Sequence, residues 1–269
     1  MCPMSAGSRR RGRTISPEEW EHLGEIIPAD TQHITITGGE PFLEYRYLLP
    51  ALEKINQIYP YAEILILTNG RALSIPELFL QTCSQLTEQY CIAIPIHAPE
   101  RELHDQITRS PGSFEQAMRA IRALSASKAK IEVRIVGHKL NLHQINATFK
   151  MLADSGSRID VINLLAMEMT GCAAVNRGKL WCDYREICRA GEEGIQYAIL
   201  KGINVGLYNF PLCTVPKNLW PIVKNSITPS KIRYDEKCKT CAENSSCDGL
   251  FYSTYGLGLC KVQPITKDG

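Results

Sequence analysis

The sequence predicts an α/β protein: a parallel sheet with helices outside it, followed by a small cysteine-rich module. Three observations carry this. Short β-branched runs alternate with longer amphipathic runs from about residue 16 to residue 209. The links between them are short, which is the signature of repeated βα units. After Asn209 the alternation stops, and Pro, Lys and Cys crowd the remaining chain. The boundary therefore falls between a 1–209 domain and a 210–269 module. With 269 residues and 44% hydrophobic residues, the chain can bury one large core with a small appendage.

The elements follow in order. "SPEEWEHLGEII" opens a helix, with Ser16 as N-cap, Pro17 in the first turn and acids beside it. "HITITGG" gives a strand near Ile34–Thr37. "LEYRYLLPALEKINQIY" has helical spacing, which Pro50 interrupts. "EILILTNG" is a buried strand ending at Asn69-Gly70, "IPELFLQTCSQLTEQ" a helix and "CIAIPIHAP" a strand. "SFEQAMRAIRALSAS" is a helix capped by Ser113, "IEVRIVG" a strand, and "LHQINATFKMLADSG" a helix that Gly156 ends. "IDVINLLAME" is a strand, "YREICRAGEEGIQYAILKG" a helix and "INVGLYN" a further strand.

Each strand runs out into polar or glycine-rich residues: Gly38-Gly39-Glu40, Thr68-Asn69-Gly70, His97, His138 and Glu168. In parallel βα folds ligands gather at the C-terminal ends of strands, so these ends together describe a ligand site. The net charge of +2 provides no global field for nucleic acid or for an anionic membrane. No apolar run approaches the roughly 20 residues of a membrane helix, and no signal peptide is visible. The expectation is a cytoplasmic protein with no membrane or nucleic-acid partner.

Eleven cysteines in such a chain do not suit a disulfide framework in a reducing compartment. Cys83, Cys91, Cys172, Cys182 and Cys188 are scattered among apolar neighbours and read as small buried hydrophobes. Cys213, Cys238, Cys241, Cys247 and Cys260 crowd the last quarter, which suggests metal. Cys238, Cys241 and Cys247 form C-x2-C-x5-C, close enough for one turn to present thiolates to a single centre, and Cys213 is a natural fourth ligand. Zinc or a [4Fe–4S] cluster both suit four thiolates, and Cys260 is an alternative to Cys213.

"TITGGEPFL" is the most informative stretch. Two glycines directly after a strand let backbone approach a ligand, Glu40 can accept from an ammonium group, and Pro41 stiffens the exit. This resembles the radical S-adenosylmethionine (SAM) enzymes, in which Gly-Gly-Glu-Pro at a strand end contacts the methionine amino group of SAM. The resemblance implies a partial, TIM-like (β/α)6 barrel, here lacking its first strand. It also implies a C-x3-C-x2-C loop holding a [4Fe–4S] cluster. "MCPM" resembles the end of that motif, so Cys2 is the expected last cluster ligand and the chain reads as N-terminally incomplete. As written it then lacks two cluster cysteines and is expected to be inactive in SAM cleavage. "LILTNGRAL" resembles the family's next strand, with Thr68 and Asn69 at the SAM rim. His97 and Arg134 are expected toward the SAM ribose and carboxylate, whereas His104 and His138 read as ordinary loop histidines and "SRRRGR" as a solvated loop.

The C-terminal cysteines resemble the SPASM or twitch extension of peptide-modifying members. That likeness implies an auxiliary [4Fe–4S] cluster on Cys213, Cys238, Cys241 and Cys247. "LAMEMTGCAAVNRGKLW", "VGLYNFPLC" and "CDGLFYS" resemble the radical SAM maturases of the His-Xaa-Ser peptide system. The function so implied is a maturase. It would generate a 5′-deoxyadenosyl radical to modify a ribosomally made precursor peptide, with a reductant such as flavodoxin or ferredoxin. The rival readings are a radical SAM enzyme acting on RNA or a small metabolite, and a non-catalytic metal-stabilised peptide-binding scaffold. No general base is named by the sequence.

Overall fold

A computed structural model describes residues 15, 16, 18, 19, 22 and 26–266. Cys2 and the basic stretch Arg9–Arg13 lie outside the described residues. At the start of the described chain Ser16 and Glu19 exchange bonds, Glu19 N to Ser16 Oγ at 3.3 Å and Ser16 N to Glu19 Oε2 at 2.9 Å. This is the capping box expected of that helix start.

Seven strands form one sheet: β1 His33–Ile36, β2 Glu63–Leu67, β3 Tyr90–Pro95, β4 Lys130–Gly137, β5 Val161–Ala166, β6 Asn204–Tyr208 and β7 Val223–Lys224. They lie in sequence order and every neighbouring pair is parallel. An order that never reverses, joined by right-handed crossovers, puts the helices on one face and leaves the other concave. The result is the curled half-barrel of the predicted class. No ladder joins β1 to β7, so among the described residues the curl does not close.

The helices on the outer face are α1 Tyr45–Ile58, α2 Pro76–Cys83, α3 Arg101–Thr108, α4 Ser113–Leu124, α5 Ile145–Ala153 and α8 Tyr184–Leu200. Between β5 and α8 lie two short pieces, α6 Gly171–Val175 and α7 Arg177–Leu180. Helix α1 runs through Pro50 rather than breaking there. Pro50 is exposed, so water can take the carbonyl that its missing N–H leaves unbonded.

Strand periodicity builds the core. Ile64, Ile66, Ile92, Ile94, Ile131, Val133, Ile135, Ile162, Leu164 and Leu207 are fully buried against the helix layer. Each such side chain contributes about 1.5–3 kcal/mol by leaving water. The alternate residues of the same strands face the concave side.

Past Asn209 the chain returns to the sheet as β7 and then forms a small antiparallel pair, β8 Ile232–Arg233 with β9 Leu250–Phe251, and a short α9, Tyr252–Gly256. Phe210, Val215, Leu219, Leu250 and Val262 join the same hydrophobic core as the barrel strands. No helix among the described residues is long and apolar enough to cross a membrane.

Candidate cofactor rim and cysteine-lined cavity

The turn after β1 carries Gly38, Gly39, Glu40 and Pro41. Nothing lies within 4 Å of where a Cβ would stand on either glycine, so the backbone there faces open space. Pro41 and the following residues form a 3-10 turn, Pro41–Glu44, with Glu40 as its N-cap. The Glu40 carboxylate ties this turn to the end of β2. Its Oε1 accepts from Thr68 Oγ1 at 2.5 Å and from Phe42 N at 3.3 Å, and its Oε2 accepts from Asn69 N at 2.7 Å. Two carboxylate oxygens have about four acceptor positions, so a position remains on Oε2 for an incoming ammonium. Thr68 is buried and also accepts from Gly70 N at 3.1 Å. Asn69 is exposed, and its Oδ1 accepts from Arg71 N at 2.9 Å. The structure thus joins Gly-Gly-Glu and Thr68-Asn69 on one rim. The donor set suits the amino group of SAM: bare backbone, a fixed carboxylate and open space in front.

Further along the rim, His97 follows β3 and His138 follows β4. The structure corrects the reading of His104 and His138 as ordinary loop histidines: both are buried and lie together with the buried His97. The His97 ring centroid is 5.4 Å from that of His104 and 6.3 Å from that of His138. His104, on α3, accepts from His97 N through Nδ1 at 3.2 Å. Asn141 pins both strand ends: its Nδ2 donates to His97 O and Val136 O, and its Oδ1 accepts from His138 N. Burial pushes the His104 and His138 imidazoles down to about 4. Burial, with the other two rings beside it, holds His97 well below the ordinary value. His97 Nδ1 and His138 Nε2 are buried with no hydrogen-bond partner among the described residues. Sequence reasoning could not assemble this trio, because His138 reaches the other two only through the β3–β4 pairing.

Arg134 faces the concave side, as expected of a strand arginine flanked by Val133 and Ile135. Its partner was missed: Nε donates to Glu132 Oε1 at 2.5 Å. The signal was available in "IEVRIV", where two residues' separation on a strand puts both charges on one face.

The C-terminal cysteines meet. Cys213, Cys238, Cys241 and Cys247 line one cavity of about 390 Å³, counting its open mouth, with Tyr234, Leu250 and Pro264 among its walls. Backbone N–H groups point at three of the sulfurs: Ile265 N donates to Cys241 Sγ at 3.3 Å, Gln263 bonds Cys213 and Asp235 bonds Cys238. Hydrogen bonds to sulfur favour thiolate and tune an iron–sulfur centre. Burial nevertheless raises the Cys213 and Cys238 thiols, with neighbouring cysteines adding to it. A bound cation reverses that balance. No three His, Cys, Asp or Glu side chains among the described residues are placed to hold one metal ion. Cys260 is half-buried, and burial lifts its thiol to about 12, with Asp183 and Cys213 adding to the rise.

The Radical SAM superfamily model matches residues 1–152. The chain belongs to the Radical SAM superfamily. Membership implies SAM and a [4Fe–4S] cluster as cofactors. Among curated relatives, an AdoMet-dependent heme synthase of Oleidesulfovibrio alaskensis is 32% identical over 177 residues, covering 64% of this chain and 43% of that protein. A second, from Methanosarcina barkeri, is 23% identical over 155 residues, covering 57% of this chain and 42% of that protein. This radical SAM chain thus spans less than half the length of either relative. Among solved structures, Streptococcus suis SuiB bound to precursor peptide SuiA superposes with a TM-score of 0.59 at 14% identity, over 77% of this chain and 44% of that one. A domain of pyruvate-formate lyase-activating enzyme from Bacteroides vulgatus gives 0.50 at 18% identity, over 65% and 98%. At these identities the structures show a shared fold.

Proposed function

We propose that this chain is the catalytic core of a radical SAM maturase acting on a ribosomally made peptide. In this reading Gly38, Gly39, Glu40, Pro41, Thr68 and Asn69 hold the amino-acid end of SAM. His97 shapes the rim from its buried position. Cys213, Cys238, Cys241 and Cys247 hold an auxiliary [4Fe–4S] cluster, and an external reductant such as flavodoxin or ferredoxin supplies electrons. When bound, cluster and SAM together supply hydrogen-atom abstraction from an unactivated C–H bond. The chain's own residues orient the substrate and keep water out. Glu40, fixed by Thr68 and Asn69, sets the position of the SAM ammonium without reorganising.

The observation that carries the reading is the cavity in which Cys213 joins Cys238, Cys241 and Cys247. Such a module fits the SPASM or twitch extension of peptide-modifying enzymes and so favours a maturase, the His-Xaa-Ser type among them. Four thiolates suit the corners of a [4Fe–4S] cluster, and they also suit zinc. A zinc ion would instead draw all four sulfurs to about 2.3 Å from a single point. The test is anaerobic reconstitution followed by iron, sulfide and zinc analysis of the purified chain and of a Cys238→Ala/Cys241→Ala variant. The expected result is a loss of about four irons and four sulfides per chain in the variant. Stoichiometric zinc without sulfide at these cysteines would remove the auxiliary cluster, and the maturase assignment with it.

The names of the curated relatives favour a second reading, a small-molecule substrate of the tetrapyrrole type. Anaerobic assays of 5′-deoxyadenosine release by a version of the chain extended upstream to carry the two further cluster cysteines, with a peptide encoded beside the gene or with a porphyrin, separate the two.

A further inference from the structure

The concave face of the sheet carries a second polar group that the SAM rim does not use. Across it, register sets Pro95, Arg134, Asn163 and Gly206 side by side on β3 to β6. Glu132, one pleat deeper than Arg134, is buried, and both its oxygens are engaged. One accepts from Arg134 Nε and the other from the Cys91 thiol, at 3.7 Å. Glu132 therefore fixes the guanidinium by its inner edge. The outer edge, Nη1 and Nη2, has no polar partner among the described residues.

Two further groups stand beside it without partners. Asn163 is 3% exposed, yet its carboxamide makes no hydrogen bond among the described residues. The neighbouring Gly206 gives it room, because a Cβ there would stand 2.5 Å from Asn163 Oδ1. Tyr208 on β6 faces the same group, close enough to feel the charges of Glu132 and Arg134. Burial raises its phenol, so the hydroxyl stays a donor. Buried polar groups in folded proteins are nearly all paired. The Arg134 fork and the Tyr208 hydroxyl keep some access to solvent, so with the Asn163 carboxamide they leave polar positions on one concave face open to a ligand.

We propose that Arg134, set by Glu132 and flanked by Asn163 and Tyr208, is a clamp for a carboxylate of the substrate, seated inside the half-barrel below SAM. The free edge of a guanidinium matches a carboxylate bidentately. The adjacent Glu132 leaves the cluster without net positive charge, which disfavours a phosphate dianion. Depth separates this clamp from the SAM amino-acid end. Arg134 is three residues short of the end of β4, roughly 10 Å along the strand, and its pairing with Glu132 draws the guanidinium further inward. The clamp thus takes Arg134 from SAM and gives it to the substrate. It rests on the rim being the SAM site, and the two stand or fall separately in the experiment below.

The experiment titrates the 269-residue chain with two probe pairs, by calorimetry or saturation-transfer NMR, with and without saturating SAM. One pair is N-acetylglutamate α-amide and its glutamine counterpart. The other is mesoporphyrin and its dimethyl ester. The expected result is at least a tenfold preference for the free acid in one pair, unchanged by SAM. The pair that shows it names the source, an acidic peptide residue or a tetrapyrrole propionate. The double variant Glu132→Gln/Arg134→Gln, which leaves no lone buried charge, should lose that preference. Asn163→Ala should weaken binding at least threefold. No preference in either pair, a preference that survives the double variant, or displacement of the acid by SAM would each overturn the clamp. Failure of SAM itself to bind would count against the rim reading alone.

Discussion

At the scale of single residues, the trio His97, His104 and His138 sets a pH dependence. All three imidazoles are held below their ordinary value by burial, His104 and His138 to about 4, while Asp105 opposes the shift at His104. Between pH 4 and about 6.5 the unfolded chain takes up protons that the folded chain refuses. Stability is therefore full above about pH 6.5 and is lost as pH falls toward 4, by up to about 1.4 kcal/mol per pH unit for each titrating histidine. Urea melts at pH 7.5 and pH 5.0 measure the loss directly. His104→Leu should narrow the gap between the two pH values, whatever it does to stability at pH 7.5. An unchanged gap would mean that His104 titrates as it does in water. The turn after β1, proposed as the SAM rim, was by contrast legible as a turn residue by residue, because Gly38, Gly39 and Glu40 are consecutive and a strand end explains them. Arg134 was legible as an inward-facing strand charge, whereas its partner Glu132, two residues before it on the same face, went unread.

At the scale of elements, the strands were the most readable feature, since β-branched runs between turn residues leave little choice. The helix ends were less so. Ser113 was expected to cap α4, yet Gly112 is the N-cap and Ser113 begins the helix. The capping groups come from Asp105 on α3, which accepts from Gly112 N at 2.6 Å, Ser113 Oγ at 2.9 Å and Phe114 N at 2.9 Å. The link from β3 was read as a loop, but it holds α3, and a helix so short has little periodicity to show. The other end of α4 is closed by Arg158, whose Nη2 donates to Leu124 O, Ser127 O and Ala129 O. No local pattern announces a bond over such a separation.

Helix packing offers a sharper test. Helix α8 lies on α5 through Gly194, where a Cβ would come within 2.7 Å of Asn146 O and 2.8 Å of Phe149 Cβ. Gly194→Val should cost about 1–3 kcal/mol or more by overpacking. Gly178 on α7 has nothing near its Cβ position, so Gly178→Ala should be neutral or stabilise by up to about 1 kcal/mol. Thermal melts of the two variants should move in opposite directions or differ by several degrees. Equal shifts would contradict the packing account.

At the scale of the molecule, the change in composition at Asn209 marked where cysteines and prolines begin, and the proposed module starts there. The spacing of Cys238, Cys241 and Cys247 was visible, whereas the N–H groups of Gln263 and Ile265 that bond the sulfurs were not, because the chain's last stretch folds back to deliver them. Strand β7 and the shared core tie this region to the barrel. Leu250→Ala should therefore cost about 2–5 kcal/mol for the whole chain in one transition. Far-UV circular dichroism and tryptophan fluorescence should report coincident denaturant midpoints. Two separated midpoints would instead show that residues 210–269 unfold as an independent unit.

The unclosed curl of the sheet has a consequence for what can be processed. Among the described residues β1 and β7 are unpaired to each other, so the concave face proposed as the reaction chamber is a trough rather than a tube. A long molecule can lie across a trough with only its reacting residue inside, while both tails run out past the edges. Selection then acts on a short stretch of the molecule and not on its overall length. One active centre can serve interior positions as readily as chain ends, and several positions of one molecule in turn, without the molecule ever being threaded end first.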